Sequence, residues 1–175
     1  HANDEEALRW SALNGRLEVV KYLVSRGADV NANDGEALKW TSTNGHLGVV
    51  KYLIEKGASA GCDEALKWAS ANGHLGVAKY LIEKGADIHA NDEEALRWSA
   101  LNGRLEMAEH LVSWGANIHA DDDFALRTAS KHGHSEVVEF LILNGADIHA
   151  KDDEALRTAS ERGHLKMVKC LEEKV

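Results

Sequence analysis

Ten histidines, two cysteines and 29 acidic residues are the side chains of this chain that could do chemistry, so their spacing is the first question. His132 and His134 form the one tight histidine pair, yet no cysteine or carboxylate completes a recognisable ligand set beside them, and Cys62 and Cys170 lie far apart. A protein zinc site needs three or four converging donors, so no metal is expected, and no other cofactor either. No Gly-x-Ser-x-Gly and no glycine-rich phosphate cradle occurs, which leaves neither an activated serine nor a nucleotide site to be read. The expectation is a protein that is not an enzyme. Most of the histidines keep a register instead: His46, His74, His134 and His164 each follow a glycine, while His89, His119 and His149 share the place held by Asn31.

That register belongs to a repeat. Glu-Ala-Leu recurs at Glu6, Glu36, Glu64, Glu94 and Glu154, with Phe124 leading one altered copy. The chain is therefore read as one domain of six tandem units, bounded near 1–30, 31–59, 60–88, 89–118, 119–148 and 149–175. Periods of this length mark arrays whose units stack on their neighbours and whose function lies in the surface displayed. His1–Glu18 reads the same as His89–Glu106, so identity between units records duplication and is no sign of a site.

Composition bounds the function class. At 44% hydrophobic residues the chain can build a core, and no apolar run approaches the eighteen or so residues of a membrane span. No signal or transit segment is legible, although a chain opening on His1 suits a piece of a longer protein. Two unpaired cysteines fit a reducing compartment, hence an intracellular, cytoplasmic location. A formal charge of −9 opposes attraction to nucleic acid and favours a basic peptide or protein as partner.

Each unit resolves into two short helices and a connector. Good helix formers run from Glu5 to Asn14, with Ala7, Leu8, Ser11 and Ala12 on one narrow face, and Gly15 supplies the stop. A second helix follows from about Leu17 to Arg26, burying Leu17, Val20, Leu23 and Val24, and Gly27 ends it. The connector Ala28–Asp34 is rich in turn residues and ends in carboxylates suited to the positive end of the next helix.

Asn-Gly-His-Leu at 44–47 and 72–75, Val-Val-Lys-Tyr-Leu-Ile-Glu-Lys-Gly-Ala at 49–58 and Gly-Ala-Asp-Ile-His-Ala at 85–90 and 145–150 resemble ankyrin repeats. The resemblance covers all six units and implies an all-α solenoid of helix-turn-helix units that binds proteins on a concave surface. Two departures stand out. Thr-Pro-Leu-His, which opens most ankyrin helices, is replaced by Glu-Ala-Leu-Arg or Glu-Ala-Leu-Lys, and the unit is about thirty residues long where thirty-three is usual. Such trimmed units resemble the ankyrin arrays of large DNA viruses of amoebae, which would make this a viral, host-directed protein.

Several ladders run through the array. Arg9, Lys39, Lys67, Arg97, Arg127 and Arg157 occupy one place, with an acid three residues earlier in five units, so they are read as helix pairs or as bridges between units. Trp10, Trp40, Trp68 and Trp98 share another place, held by Thr128 and Thr158 in the last two units. Units stacked at roughly 8–10 Å would line these four tryptophans into a ladder about 30 Å long. Packing and a partner-contacting groove are both open readings, because tryptophan is enriched among binding hot spots. Tyr22, Tyr52, Tyr80, His110 and Phe140 form a second series, read as core or convex-side filler.

Acidic clusters precede the first helices, at Asp4-Glu5-Glu6, Asp92-Glu93-Glu94, Asp121-Asp122-Asp123 and Asp152-Asp153-Glu154. They are read as helix caps and as a negative rim that steers a basic partner, with Asp4, Glu5, Glu93, Asp122 and Asp123 its members. Phe124 places an aromatic among them as a candidate contact. By resemblance to connectors modified by the asparaginyl hydroxylase that acts on ankyrin loops, Asn31 is a modification candidate, with His89 and His149 beside it.

At the C-terminus Glu172 and Val175 replace an apolar residue and a stop glycine, which reads as a polar cap; at the N-terminus no such change occurs. A monomer is expected, with end-to-end pairing through the uncapped first unit as the alternative, or further repeats before His1. The connector Ala58–Asp63 is two residues short, which would leave Cys62 exposed. The expected function is a non-catalytic protein-protein interaction module; the alternative is a structural or spacer array, including an engineered or consensus-like repeat protein, without a dedicated partner.

Overall fold

The structure, a computed structural model, describes residues 2–59 and 61–173, with side chains from Asp4 onward. The expectations that rest on His1, Ala60 and Val175 lie outside the described residues. Twelve helices and no strand occur among those described. They fall into two compact units, one ending at Asp87 and the other beginning at Ile88.

The first unit holds α1 (Ala2–Leu13), α2 (Leu17–Ser25), α3 (Ala32–Thr43), α4 (Leu47–Glu55), α5 (Cys62–Asn72) and α6 (Leu75–Glu83). Each odd helix packs on the even helix that follows it. Odd helices also pack on each other, α1 on α3 and α3 on α5, and even helices do the same, α2 on α4 and α4 on α6, so the unit has two layers. The second unit repeats this plan with α7 (Ala90–Leu101), α8 (Leu105–Ser113), α9 (Ala120–His132), α10 (Ser135–Leu143), α11 (Ala150–Glu161) and α12 (Leu165–Glu172).

Small side chains explain the close odd-helix layer, since Ala12, Ser42, Ala65, Ser70, Ala100, Ala129 and Ser130 have no measurable exposure. Between the layers sit Leu8, Leu38, Leu66, Leu96 and Leu126 from the odd helices and Val20, Leu53, Leu81, Leu111 and Leu141 from the even ones, all but closed to solvent. The turn after each odd helix is closed by glycine in the left-handed conformation. At Gly45 (φ +74) and Gly103 (φ +65) a Cβ would also strike the ring of His74 or His134, at 2.6 and 2.5 Å. Those rings belong to the histidines that follow a glycine in the sequence, and each reaches back one repeat. His46, His74, His134 and His164 place Nε2 2.9 to 3.2 Å from the carbonyls of Leu13, Thr43, Leu101 and Lys131. A carbonyl only accepts, so Nε2 carries the proton and caps the end of the preceding odd helix.

The starts of the odd helices differ from the sequence expectation. No side-chain capping hydrogen bond forms at α3, α5, α7, α9 or α11. Instead, the three residues before Glu36, Glu94, Phe124 and Glu154 all take left-handed dihedrals, including the non-glycine residues Asp92, Glu93, Asp121, Asp122, Asp123 and Asp152. The right-handed helix thus begins at Glu36, Glu94, Phe124 and Glu154, whereas α5 begins at Cys62 after the left-handed Gly61. A left-handed L-residue costs roughly 1–2 kcal/mol, so a run of three must be held by neighbouring groups.

Candidate functional site

In the first unit the odd-helix face carries the exposed tryptophans. Trp10 and Trp40 are 53% and 44% exposed, an unusual degree for the largest apolar side chain. Trp10, Leu13, Arg9 and Trp40 enclose a cleft of about 230 Å³, and Trp40 and Trp68 enclose the next, about 240 Å³, with Glu36, Lys39 and Thr43. Trp68 is half-buried: its indole Nε1 donates to Glu64 at 2.9 Å, and the Lys67 ammonium lies 5.0 Å from its ring centre. Burial alone would push the Glu64 carboxyl up, but hydrogen bonds from Lys67 and Trp68 and the charges of Lys67 and Lys39 hold it below its ordinary value.

In the second unit Trp98 is half-buried and donates to Glu94 at 3.3 Å. Beside it opens a cavity of about 260 Å³ between α7 and α9, with Trp98, Leu101 and Phe124 as apolar walls. Thr128, buried at 8% exposure, lines it where a tryptophan stands in the first four repeats. The gap in the tryptophan series is thus an opening on the odd-helix face of the second unit. Thr158, in the last repeat, turns its hydroxyl back to donate to the Glu154 carbonyl at 2.8 Å.

The basic ladder next to these aromatics does structural work. Arg9 donates to Glu36 of the next repeat at 2.9 Å, whereas Glu6 on its own helix is 4.0 Å away, so the bridge between repeats prevails over the helix pair. Arg127 pairs with Glu154 of the next repeat and also donates to the carbonyls of Asp122 and Asp121 at 2.9 and 2.7 Å. Arg157 donates to the Asp152 carbonyl at 2.9 Å. Arg127 and Arg157 therefore clamp the left-handed turn that precedes their own helix, a role sequence reasoning missed. Arg97 differs, because Phe124 replaces the acid it would meet: its guanidinium lies 4.2 Å from the Phe124 ring centre.

Among the acidic candidates, Asp4 and Glu5 are half-buried in the first turn of α1. Asp122 is exposed and held by Lys151 at 2.6 Å; that hydrogen bond and charge keep its carboxyl below the ordinary range and the Lys151 ammonium above its own. Glu93 and Asp123 are not part of an exposed rim. They are buried at 4% and 5% exposure, whereas Asp153, in the same left-handed conformation in the last repeat, is exposed, so it is the following repeat that covers them. There Glu93 accepts from His89 Nδ1 at 2.5 Å, while Asp123 accepts from His119 Nδ1 at 3.1 Å and from the Asp147 backbone N–H at 3.0 Å.

The modification candidates serve the connectors. Asn31 donates to the Gly57 carbonyl at 3.0 Å and accepts from the Ser59 N–H at 2.9 Å, joining two successive connectors. His149 Nδ1 donates to Asp153 at 2.7 Å, and the rings of both His149 and His89 remain more than half exposed. Cys62 is half-buried, not exposed as the short connector suggested, and burial followed by the charge of Asp63 pushes its thiol up. In the second series Tyr22 is 62% exposed and Phe140 half-buried. No cluster of histidine, cysteine and carboxylate side chains that could hold a metal occurs among the described residues. None of the described helices is long and apolar enough to cross a membrane.

Comparison with known proteins agrees with this geometry. The pattern of ankyrin repeats (3 copies) matches residues 8–92 and 38–122, and that of ankyrin repeats (many copies) matches 126–172. No curated protein sequence matches the chain. The crystal structure of the human ASB11 ankyrin repeat domain superposes with a TM-score of 0.83 at 22% identity, over 95% of this chain and 82% of that one. Likeness at that identity speaks for the fold, an all-α ankyrin-repeat solenoid, whereas the repeat patterns extend over most of the sequence. With six helix pairs, histidine ties between repeats and two repeat patterns that together run from residue 8 to 172, the chain belongs to the ankyrin-repeat family.

Proposed function

We propose that this chain is a non-catalytic protein-protein interaction module whose six repeats act as one recognition domain. Ankyrin repeats generally bind proteins, and the observation that carries the reading further is the exposure of Trp10 and Trp40 on the odd-helix face. The fold does not need tryptophan there, since Thr128 and Thr158 fill the same place. Trp10, Trp40 and Trp68 in the first unit and Trp98 in the second serve as apolar anchors on the odd helices. Asp4, Glu5 and Asp122 contribute to a negative edge which, with the net charge of −9, guides a partner with basic segments. The short repeat supports a viral, host-directed adaptor acting as a monomer in the host cytoplasm.

Replacing Trp40 and Trp68 together by threonine tests this. The double variant W40T/W68T keeps its helical circular dichroism but loses a partner that the wild-type chain pulls down in stoichiometric amount. Unchanged capture by the folded variant, or loss of helix, would return the tryptophans to packing.

A further inference from the structure

The break in the Glu-Ala-Leu series and the gap in the tryptophan series meet at one place in the second unit. Phe124 removes the carboxylate that Arg97 would find across the repeat, and Thr128 leaves open the space a tryptophan would fill. Among the described residues Arg97 consequently has no ion pair. It makes a 3.5 Å approach to the Asn91 carbonyl, and its Nε is buried without an acceptor. In the equivalent place Arg9 and Arg127 each hold a glutamate of the next repeat.

Arg97 forms one wall of the cavity beside Trp98 and Phe124. Two exposed basic side chains, Lys131 and His132, line it from α9, and no aspartate or glutamate lines it at all. Glu94, three residues before Arg97 on α7, is engaged by the Trp98 indole. In a chain of net charge −9 this is a local reversal of sign. Its volume of about 260 Å³ exceeds the roughly 150 Å³ that admits benzene, so one large side chain fits. A guanidinium resting on an aromatic face and lacking a carboxylate partner binds one strongly, with fork geometry that favours two parallel hydrogen bonds.

We infer that the Trp98–Phe124 pocket is a specificity site for a peptide segment presenting one large apolar side chain next to an aspartate or glutamate. The apolar side chain occupies the cavity and the carboxylate takes the place on Arg97 that Phe124 vacated. The inference rests on the protein-binding reading above and names the chemistry of one contact within it. An otherwise basic partner would carry its acid here.

The probe is a phage-displayed random peptide library selected against the full chain and compared with F124E and T128W. Both substitutions restore the residue found at that place in most other repeats, and circular dichroism checks their fold. The first gives Arg97 a carboxylate and the second fills the cavity. Enriched peptides are expected to carry Asp or Glu beside Trp, Phe, Leu or Met. A synthetic peptide from that set should bind F124E, T128W and R97Q about tenfold or more weakly, which corresponds to about 1.4 kcal/mol. Enriched peptides without an acid, or with equal affinity for F124E, would overturn the pocket. Peptides indifferent to these three variants but lost in W40T/W68T overturn it while leaving the interaction module standing. A library that enriches nothing overturns both.

Discussion

Arg127 and Arg97 occupy the same place in consecutive repeats, yet one is saturated and the other is not. Arg127 spends its nitrogens on two carbonyls of a left-handed turn and on Glu154, with only a tenth of its side chain exposed. Arg97 has Phe124 in place of a glutamate, a long contact to Asn91 and a buried Nε without acceptor. The difference teaches that a rung binding the array together becomes free for a ligand through one substitution in the neighbouring repeat. Repeat proteins can acquire a site this way because each interface is nearly independent of the others.

Both rungs stand one residue after a core leucine, so the largest effect expected is common to them. L96A and L126A, each removing a side chain with at most 1% exposure, should lose about 2–5 kcal/mol in urea unfolding. A loss at one position far outside that of the other would mean that the two rungs do not hang on equivalent cores. Next, R127M should cost about 1.5–3 kcal/mol through its charged hydrogen bonds, whereas R97M, which gives up a 3.5 Å contact to the Asn91 carbonyl and the stacking of its guanidinium on Phe124, should cost about 0.5–1 kcal/mol. Equal losses would remove the distinction between a structural and an available arginine.

The smallest effect concerns Glu64 of the first unit, which is held by Lys67 and Trp68 of its own helix where Glu154 is held from the preceding repeat. The Glu64 carboxyl is kept below its ordinary value by Lys67 and Trp68 against the opposing pull of burial. A lowered folded-state value means that its stabilisation is present above the ordinary carboxylate range, about 4.3, and is lost as pH falls through the folded value. E64Q should therefore be less stable than wild type at pH 7 by a few tenths of a kcal/mol, as for other part-exposed pairs, and the gap should close on acidification. A gap that persists unchanged at low pH would assign the Glu64 contribution to packing.

Much of the fold was legible in the sequence because it is repetitive. Glu-Ala-Leu, the paired glycines and the apolar spacing of Leu17, Val20 and Leu23 place two helices per unit, and the structure puts helices there. The site was legible only in part. The tryptophan place and the altered copy at Phe124 stand out as departures from a period, but nothing along the chain tells that Thr128 opens a cavity against Trp98. Glu93 and Asp123 could not be recognised as buried, since acidic residues before a helix ordinarily cap it from outside. The histidines after glycine offered a signal that could have been pressed further: a donor recurring one repeat apart can reach a carbonyl of the previous repeat.

The sequence by itself determined the number of repeats, their helical pairs and the family, because those follow from local propensity within each thirty-residue unit and from its recurrence along the chain. Tertiary structure decided which polar groups are consumed and which remain available. Phe124 in place of a glutamate is visible in the sequence, but only the packing of one repeat against the next shows that this position is the one that faces Arg97, as Glu154 faces Arg127. Electrostatic satisfaction depends on distances of a few ångströms between residues some thirty positions apart, and those distances exist only once the helices are stacked.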